Sequence, residues 1–211
     1  MLYRTRYRPS ERSILLTLES LYRFNFSNNT LLNTVLQFDV NYVSDTTESI
    51  VVAGNKLSFT RPLLSSVGAT PIPAILTGGA NVKVTGNVVE SVLLGEAFQS
   101  PDAVGIAVSQ TGYETTRWPR TNGPNGQRVQ SSIIANKVSG FQGRTAIRFL
   151  GNTTNATMVY PVRIELNTVD GAIDDCSPHG HDELDARGNC DWGGHSVNVT
   201  RPSACRCTLC P

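Results

Sequence analysis

Short runs in which apolar and polar residues alternate, cut by glycine, asparagine and proline, constrain this chain more than any other feature of it. Leu36, Phe38, Val40 and Tyr42 alternate with Gln37, Asp39 and Asn41. Successive side chains of an extended strand point to opposite faces, so a period of two marks a half-buried strand. Residues 49–52 and 56–59 flank Gly54-Asn55, and residues 82–85 and 88–94 flank Gly86-Asn87. A Gly-Asn pair between two such runs predicts a β-hairpin. Residues 104–108 form a short apolar run, and residues 158–167 alternate again. Pro161 has no N–H for a ladder, which predicts an edge strand or a bulge there. Turn signals recur about every 8–12 residues, the spacing of a sandwich or barrel. The fold predicted for residues 23–167 is therefore mainly β, an antiparallel β-sandwich of jelly-roll type.

The two ends break this pattern. In residues 1–9, Arg4, Arg6 and Arg8 alternate with Tyr3, Thr5 and Tyr7, which predicts an extended arm. In residues 10–22, Ile14, Leu15, Leu18, Leu21 and Tyr22 fall on one face of a helix, with Ser10 as its N-cap. Residues 1–22 thus read as a basic arm followed by a short amphipathic helix. The apolar run Ile14-Leu15-Leu16 is too short for the core of a signal peptide. No run approaches the roughly 18 apolar residues of a membrane-spanning helix. Residues 168–211 hold all 5 cysteines and all 3 histidines, with few apolar residues and no clear period. They read as a separate, irregular, cross-linked or metal-bound tail.

That tail carries the densest chemistry in the sequence. Cys176, His179 and His181 come first, Cys190 and His195 follow, and Cys205, Cys207 and Cys210 close the chain. Zinc takes four such ligands in a tetrahedron, so Cys176 and His179 with two of the last three cysteines make one plausible set. Cys190 and His195 would contribute to a second. Disulfides are the competing reading, since five cysteines allow two bridges and leave one thiol. Calcium fits less well. Asp182, Glu183, Asp185, Asn189 and Asp191 offer oxygen, but Leu184 and Ala186 occupy positions where a calcium loop needs ligands.

Catalysis finds no support. There is no Gly-x-Ser-x-Gly elbow, no H-E-x-x-H and no GxGxxG or phosphate-binding loop. Glu90 with Glu96, or Glu165 with Asp170, are arbitrary carboxylate pairs for glycoside hydrolysis. The expectation is a non-enzymatic protein.

Net charge is +1, but it is unevenly spread. Residues 1–23 carry five arginines against two glutamates, a net of +3, and residues 24–110 a net of −3. Residues 111–165 carry +5 and residues 166–211 carry −4. The near-zero total argues against a general polyanion binder. Alternating blocks suit a subunit that meets copies of itself. The sequence therefore predicts a structural subunit of a large assembly, such as a virion shell, decoration or phage tail protein or an extracellular filament. The arm (Arg4, Arg6, Arg8) and the helix (Leu15, Leu18) would contact neighbouring subunits, and nucleic-acid contact by the arm would be minor. Arg117, Trp118 and Arg120 form a candidate binding loop, because an aromatic between two arginines can stack on a sugar or a base. The second reading is accordingly an exported adhesin or carbohydrate-binding module, and the third a zinc-binding protein. Asn25, Asn28, Asn152, Asn155 and Asn198 stand in Asn-X-Ser/Thr sequons, which matter only if the chain is exported from a eukaryotic cell.

Overall fold

The computed structural model describes residues 3–7, 14–18, 24–38, 50–60, 73–78, 82–91, 103–109, 131–150, 162–176 and 184–200. β1 (Tyr3–Tyr7) and β2 (Ile14–Leu18) pair antiparallel, Arg4 opposite Thr17 and Arg6 opposite Leu15. From there on, the chain repeats a unit of three short strands. The first coil is β3 (Phe24–Ser27), β4 (Thr30–Leu32) and β5 (Leu36–Phe38). The second is β6 (Ile50–Ala53), β7 (Lys56–Phe59) and β8 (Ile75–Gly78). The third is β9 (Val82–Thr85), β10 (Val88–Ser91) and β11 (Val104–Ser109). The fourth is β12 (Ser131–Ile134), β13 (Lys137–Ser139) and β14 (Thr145–Leu150). The fifth is β15 (Val162–Glu165), β16 (Thr168–Val169) and β17 (Ala172–Asp175). The sixth is β18 (Leu184–Arg187), a single bridge at Cys190, and β19 (Val199–Thr200).

Each strand pairs in parallel with its counterpart one coil away, never with its sequence neighbour. Three parallel sheets result, in the order β3-β6-β9-β12-β15-β18, β4-β7-β10-β13-β16 and β5-β8-β11-β14-β17-β19. The chain winds around a central axis and advances by one strand spacing, about 4.8 Å, per coil. This is a parallel β-helix.

Its interior is built from stacked rows of like side chains. Leu36, Ile75, Ile106, Ile147, Ile173 and Val199 stand in register down the third sheet. Leu31, Leu57, Val89, Val138 and Val169 do the same in the second. Most of these side chains are wholly buried in one continuous core. Burial of each large aliphatic side chain contributes roughly 1.5–3 kcal/mol.

The corner between the first and second sheets is made the same way in every coil. One residue adopts a left-handed backbone, namely Asn28, Gly54, Gly86, Ala135, Leu166 and Gly188, with φ between 56° and 66°. An asparagine follows it each time: Asn29, Asn55, Asn87, Asn136, Asn167 and Asn189. The last five are 0–3 % exposed. A buried amide must find partners, and here the partners are one another. Asn87 donates its backbone N–H and its Nδ2 to Asn136 Oδ1, both at 3.0 Å. Asn136 does the same to Asn167, and Asn167 to Asn189, at 2.9–3.0 Å. The second hydrogen of each Nδ2 goes back to a carbonyl of the preceding coil, as from Asn136 to Val84 at 2.9 Å. An asparagine ladder thus runs the length of the coils.

Several sequence expectations are corrected here. The fold is mainly β, but the antiparallel jelly-roll sandwich is overturned by the three parallel sheets. Alternation reports only which side chains face inward, and a β-helix and a sandwich alternate alike. Gly54-Asn55 and Gly86-Asn87 do not close hairpins. The strands that flank each pair lie in different sheets and bond in parallel to the neighbouring coils instead of to each other. One left-handed residue bends the chain into the next sheet. The amphipathic helix is also absent, since residues 14–18 form β2. A helix of about three turns is marginal by itself. β15 lies between β12 and β18, not at an edge. Residues 184–200 form the sixth coil, not an irregular tail. No helix among the described residues is long and apolar enough to cross a membrane.

Candidate functional site

The sixth coil ends differently from the others. After Cys190 the chain makes a tight loop and returns, so that Cys190 and Ser196 bridge antiparallel. Asp191 N–H donates to the His195 carbonyl at 2.9 Å, and Gly194 N–H donates to the Asp191 carbonyl at 3.1 Å. Val197 N–H then takes the Asn189 carbonyl at 2.9 Å. In earlier coils the equivalent carbonyl accepts from the residue after the next asparagine, as Asn55 does from Val88. The loop therefore covers this corner of the last coil. Gly194, at φ 81°, permits the sharp turn.

Asp191 holds the loop together. Its Oδ1 accepts the N–H groups of Gly193 at 2.8 Å and His195 at 2.9 Å, and its Oδ2 lies 2.9 Å from His195 Nδ1. The backbone N–H of His195, then its imidazole, then the Gly193 N–H hold the Asp191 carboxyl below its ordinary value of 3.8. A depressed carboxyl stabilises the loop above pH 3.8, and the contribution is lost as pH falls through the lower folded value. The indole N–H resonance of Trp192 is therefore expected to move on acidification below about pH 4. A resonance that stays in place on acidification until the whole fold is lost would contradict the role given to Asp191.

Trp192 stands on this loop with 55 % of its surface exposed, next to two glycines that leave its ring uncrowded. It forms one lip of a groove of about 600 Å³. Gly193 and Asp191 accompany it from the sixth coil, and Asp170 comes from the fifth. The fourth coil supplies Ser139, Gly140 and Gln142, and the third supplies Ser91. Asp170 is turned onto the backbone, accepting from Gly140 N–H at 2.5 Å and Phe141 N–H at 2.9 Å. Ser139 and Gln142 have no side-chain hydrogen bond among the described residues. The groove thus combines an exposed indole, an amide, hydroxyls and two carboxylates.

Compared with known proteins, the chain matches no family model, no curated protein and no solved structure. The site therefore rests on its own geometry.

Of the residues singled out in the sequence, the structure brings few together. Arg4 and Arg6 lie on β1 and Leu15 and Leu18 on β2, so the extended arm pairs within its own chain. Arg8, Arg117, Trp118, Arg120, His179, His181, Cys205, Cys207 and Cys210 lie outside the described residues. Cys176 is buried and disulfide-bonded. Cys190 carries a free thiol 3.7 Å from Thr168 Oγ1. No disulfide joins two described residues, and no group of three or more His, Cys, Asp or Glu among them could hold a metal. This corrects the metal reading as far as those residues reach. His195 turns to Asp191 instead of Cys190, Asn189 is a rung of the ladder, and Asp185 pairs with Arg187 at 2.6 Å. The carboxylate pairs also separate. Glu165 is buried on the outer side of the first sheet between Arg163 and Arg187, at 2.6 and 3.1 Å, whereas Asp170 lies in the groove. Glu90 pairs with Lys56 at 3.3 Å, and Glu96 lies outside the described residues.

The residue that sequence reading missed is Trp192. The signal was Asp191-Trp192-Gly193-Gly194, an aromatic beside two glycines immediately after the final ladder asparagine.

Proposed function

We propose that this chain is a saccharide-binding β-helical module that holds its ligand without cleaving it. The supporting observation is the half-exposed Trp192 on the lip of a groove whose other groups are polar. An indole offers a flat apolar face for the C–H side of a sugar ring, and nearby amide, hydroxyl and carboxylate groups take its hydroxyls. A single aromatic with polar neighbours suits a ligand that is itself apolar on one face and polar at its edge.

The carboxylates argue for binding over cleavage. Glycoside hydrolysis needs one carboxylic acid that gives a proton and one carboxylate that acts as base or nucleophile. Asp170 spends its oxygens on the N–H groups of Gly140 and Phe141, and Asp191 spends its own on Gly193 and His195. Both are fastened into turns, which fixes the shape of the groove instead of supplying a mobile proton. An extracellular or virion surface, where glycans are met, is the setting that suits such a module. Self-association through the arm draws less support, because β1 is paired with β2 of its own chain.

A glycan array followed by titration calorimetry tests this reading. Trp192→Ala is expected to weaken binding by about 2 kcal/mol, or roughly thirtyfold, as for a central aromatic anchor. Its exposed position should leave the fold intact. Unchanged affinity in the folded variant, or binding of a lysine-rich peptide in place of any glycan, would refute the proposal.

A further inference from the structure

We infer, on the basis of the saccharide reading above, that the groove takes an uncharged oligosaccharide laid along the axis of the coils, not around them. The order of its lining carries the inference. Ser91 belongs to the third coil, Ser139 and Gln142 to the fourth, Asp170 to the fifth and Trp192 to the sixth. Consecutive coils are joined by parallel pairing, so each step along the groove is one strand spacing, about 4.8 Å. From Ser91 to the Trp192 loop is three such steps, about 14 Å. One step is comparable to the length of a single ring in an extended sugar chain. A ligand running along the axis passes the exposed Gln142 and half-buried Ser139 of the fourth coil, then Asp170 of the fifth, and ends on the indole. A ligand running around a coil would meet the groups of that coil alone.

The charge of the lining selects the class. Asp170 and Asp191 line the groove, and no lysine or arginine among the described residues does. Anionic sugars would meet like charge with no cation among the described residues to balance it. Neutral sugars place hydroxyls against the Gln142 amide and the Ser139 hydroxyl without that repulsion.

The full chain is to be screened on printed neutral and acidic glycans, and the best binder titrated as a series of one to six units. Affinity is expected to rise about tenfold or more from one unit to four and then level off. Trp192→Ala should weaken every length. Gln142→Ala should weaken only ligands of three or more units, by about tenfold, because it acts at a distance from the indole. Uronic-acid oligomers of the same length should bind at least about tenfold more weakly at low salt. Equal affinity at all lengths, a Gln142→Ala effect on the single unit, or preference for uronic acids would overturn this inference and leave the saccharide reading standing. Binding of no glycan at all would overturn both.

Discussion

Asn136→Ala is expected to remove about 3–5 kcal/mol of stability, far more than an ordinary surface asparagine. The side chain sits in the fourth coil, wholly buried, with all of its hydrogen-bonding capacity used. Its Oδ1 accepts from the N–H and the Nδ2 of Asn87, and its Nδ2 donates to Val84 and to Asn167. Truncation leaves two buried donors on Asn87 without an acceptor. Each such orphan costs about 1–3 kcal/mol, because it gave up water on folding and gains nothing in return. Asn29→Ala provides the contrast. Asn29 heads the ladder, is half-buried, and donates to Asn55, while its Oδ1 accepts from no described residue. Its loss is expected to cost about 1 kcal/mol. Urea denaturation of the two variants reads the difference directly, and equal, small losses would mean that the ladder does not hold the coils.

Gly140→Ala is the second large expected effect, about 3 kcal/mol or more, with loss of the groove as well. Gly140 has φ +89°, a conformation that a side chain disfavours. An added Cβ would also overlap the Ser91 carbonyl oxygen and lie 2.6 Å from Ser91 Cβ and 2.9 Å from its carbonyl carbon. Those atoms are backbone and stem of the adjoining coil and cannot swing aside. The strand would have to move, and with it the Gly140 N–H that donates to Asp170. Glycan affinity and thermal midpoint should therefore fall together in Gly140→Ala, while Trp192→Ala lowers affinity alone. A Gly140→Ala protein of normal stability and affinity would contradict the close approach of the third and fourth coils.

The strands themselves were legible in the sequence, since residues 49–52, 56–59, 82–85 and 104–108 were each read from alternation or apolar runs and all but Ser49, which lies outside the described residues, lie in strands. Strand direction was not legible, because inward and outward faces alternate identically in parallel and antiparallel sheets. The repeating corner was present but disguised twice. Its left-handed residue is glycine only at Gly54, Gly86 and Gly188, and is Asn28, Ala135 and Leu166 elsewhere. Its spacing wanders as well, with successive ladder asparagines 26, 32, 49, 31 and 22 residues apart. Insertions at the other corners change the period without disturbing the ladder, so no fixed repeat length announces it. The groove was illegible for a related reason. Ser91, Ser139, Asp170 and Trp192 are scattered along the sequence and become neighbours only once the coils are stacked in register. The concentration of cysteine and histidine near the C-terminus drew attention to metal and cross-links; Cys176 is disulfide-bonded, whereas His195 serves to fasten the loop that carries Trp192.

Hydrogen exchange of the asparagine side-chain amides tests the stacked-coil account most directly. In a parallel β-helix the Nδ2 hydrogens of Asn55, Asn87, Asn136 and Asn167 are buried and doubly bonded. They should exchange only when coils unfold, as slowly as the most protected backbone amides. Gly-Asn turns of hairpins at the edge of a sandwich would leave the same groups in water. Slow exchange at all four asparagines is the predicted result; exchange as fast as that of an exposed asparagine would contradict the ladder and the fold built on it.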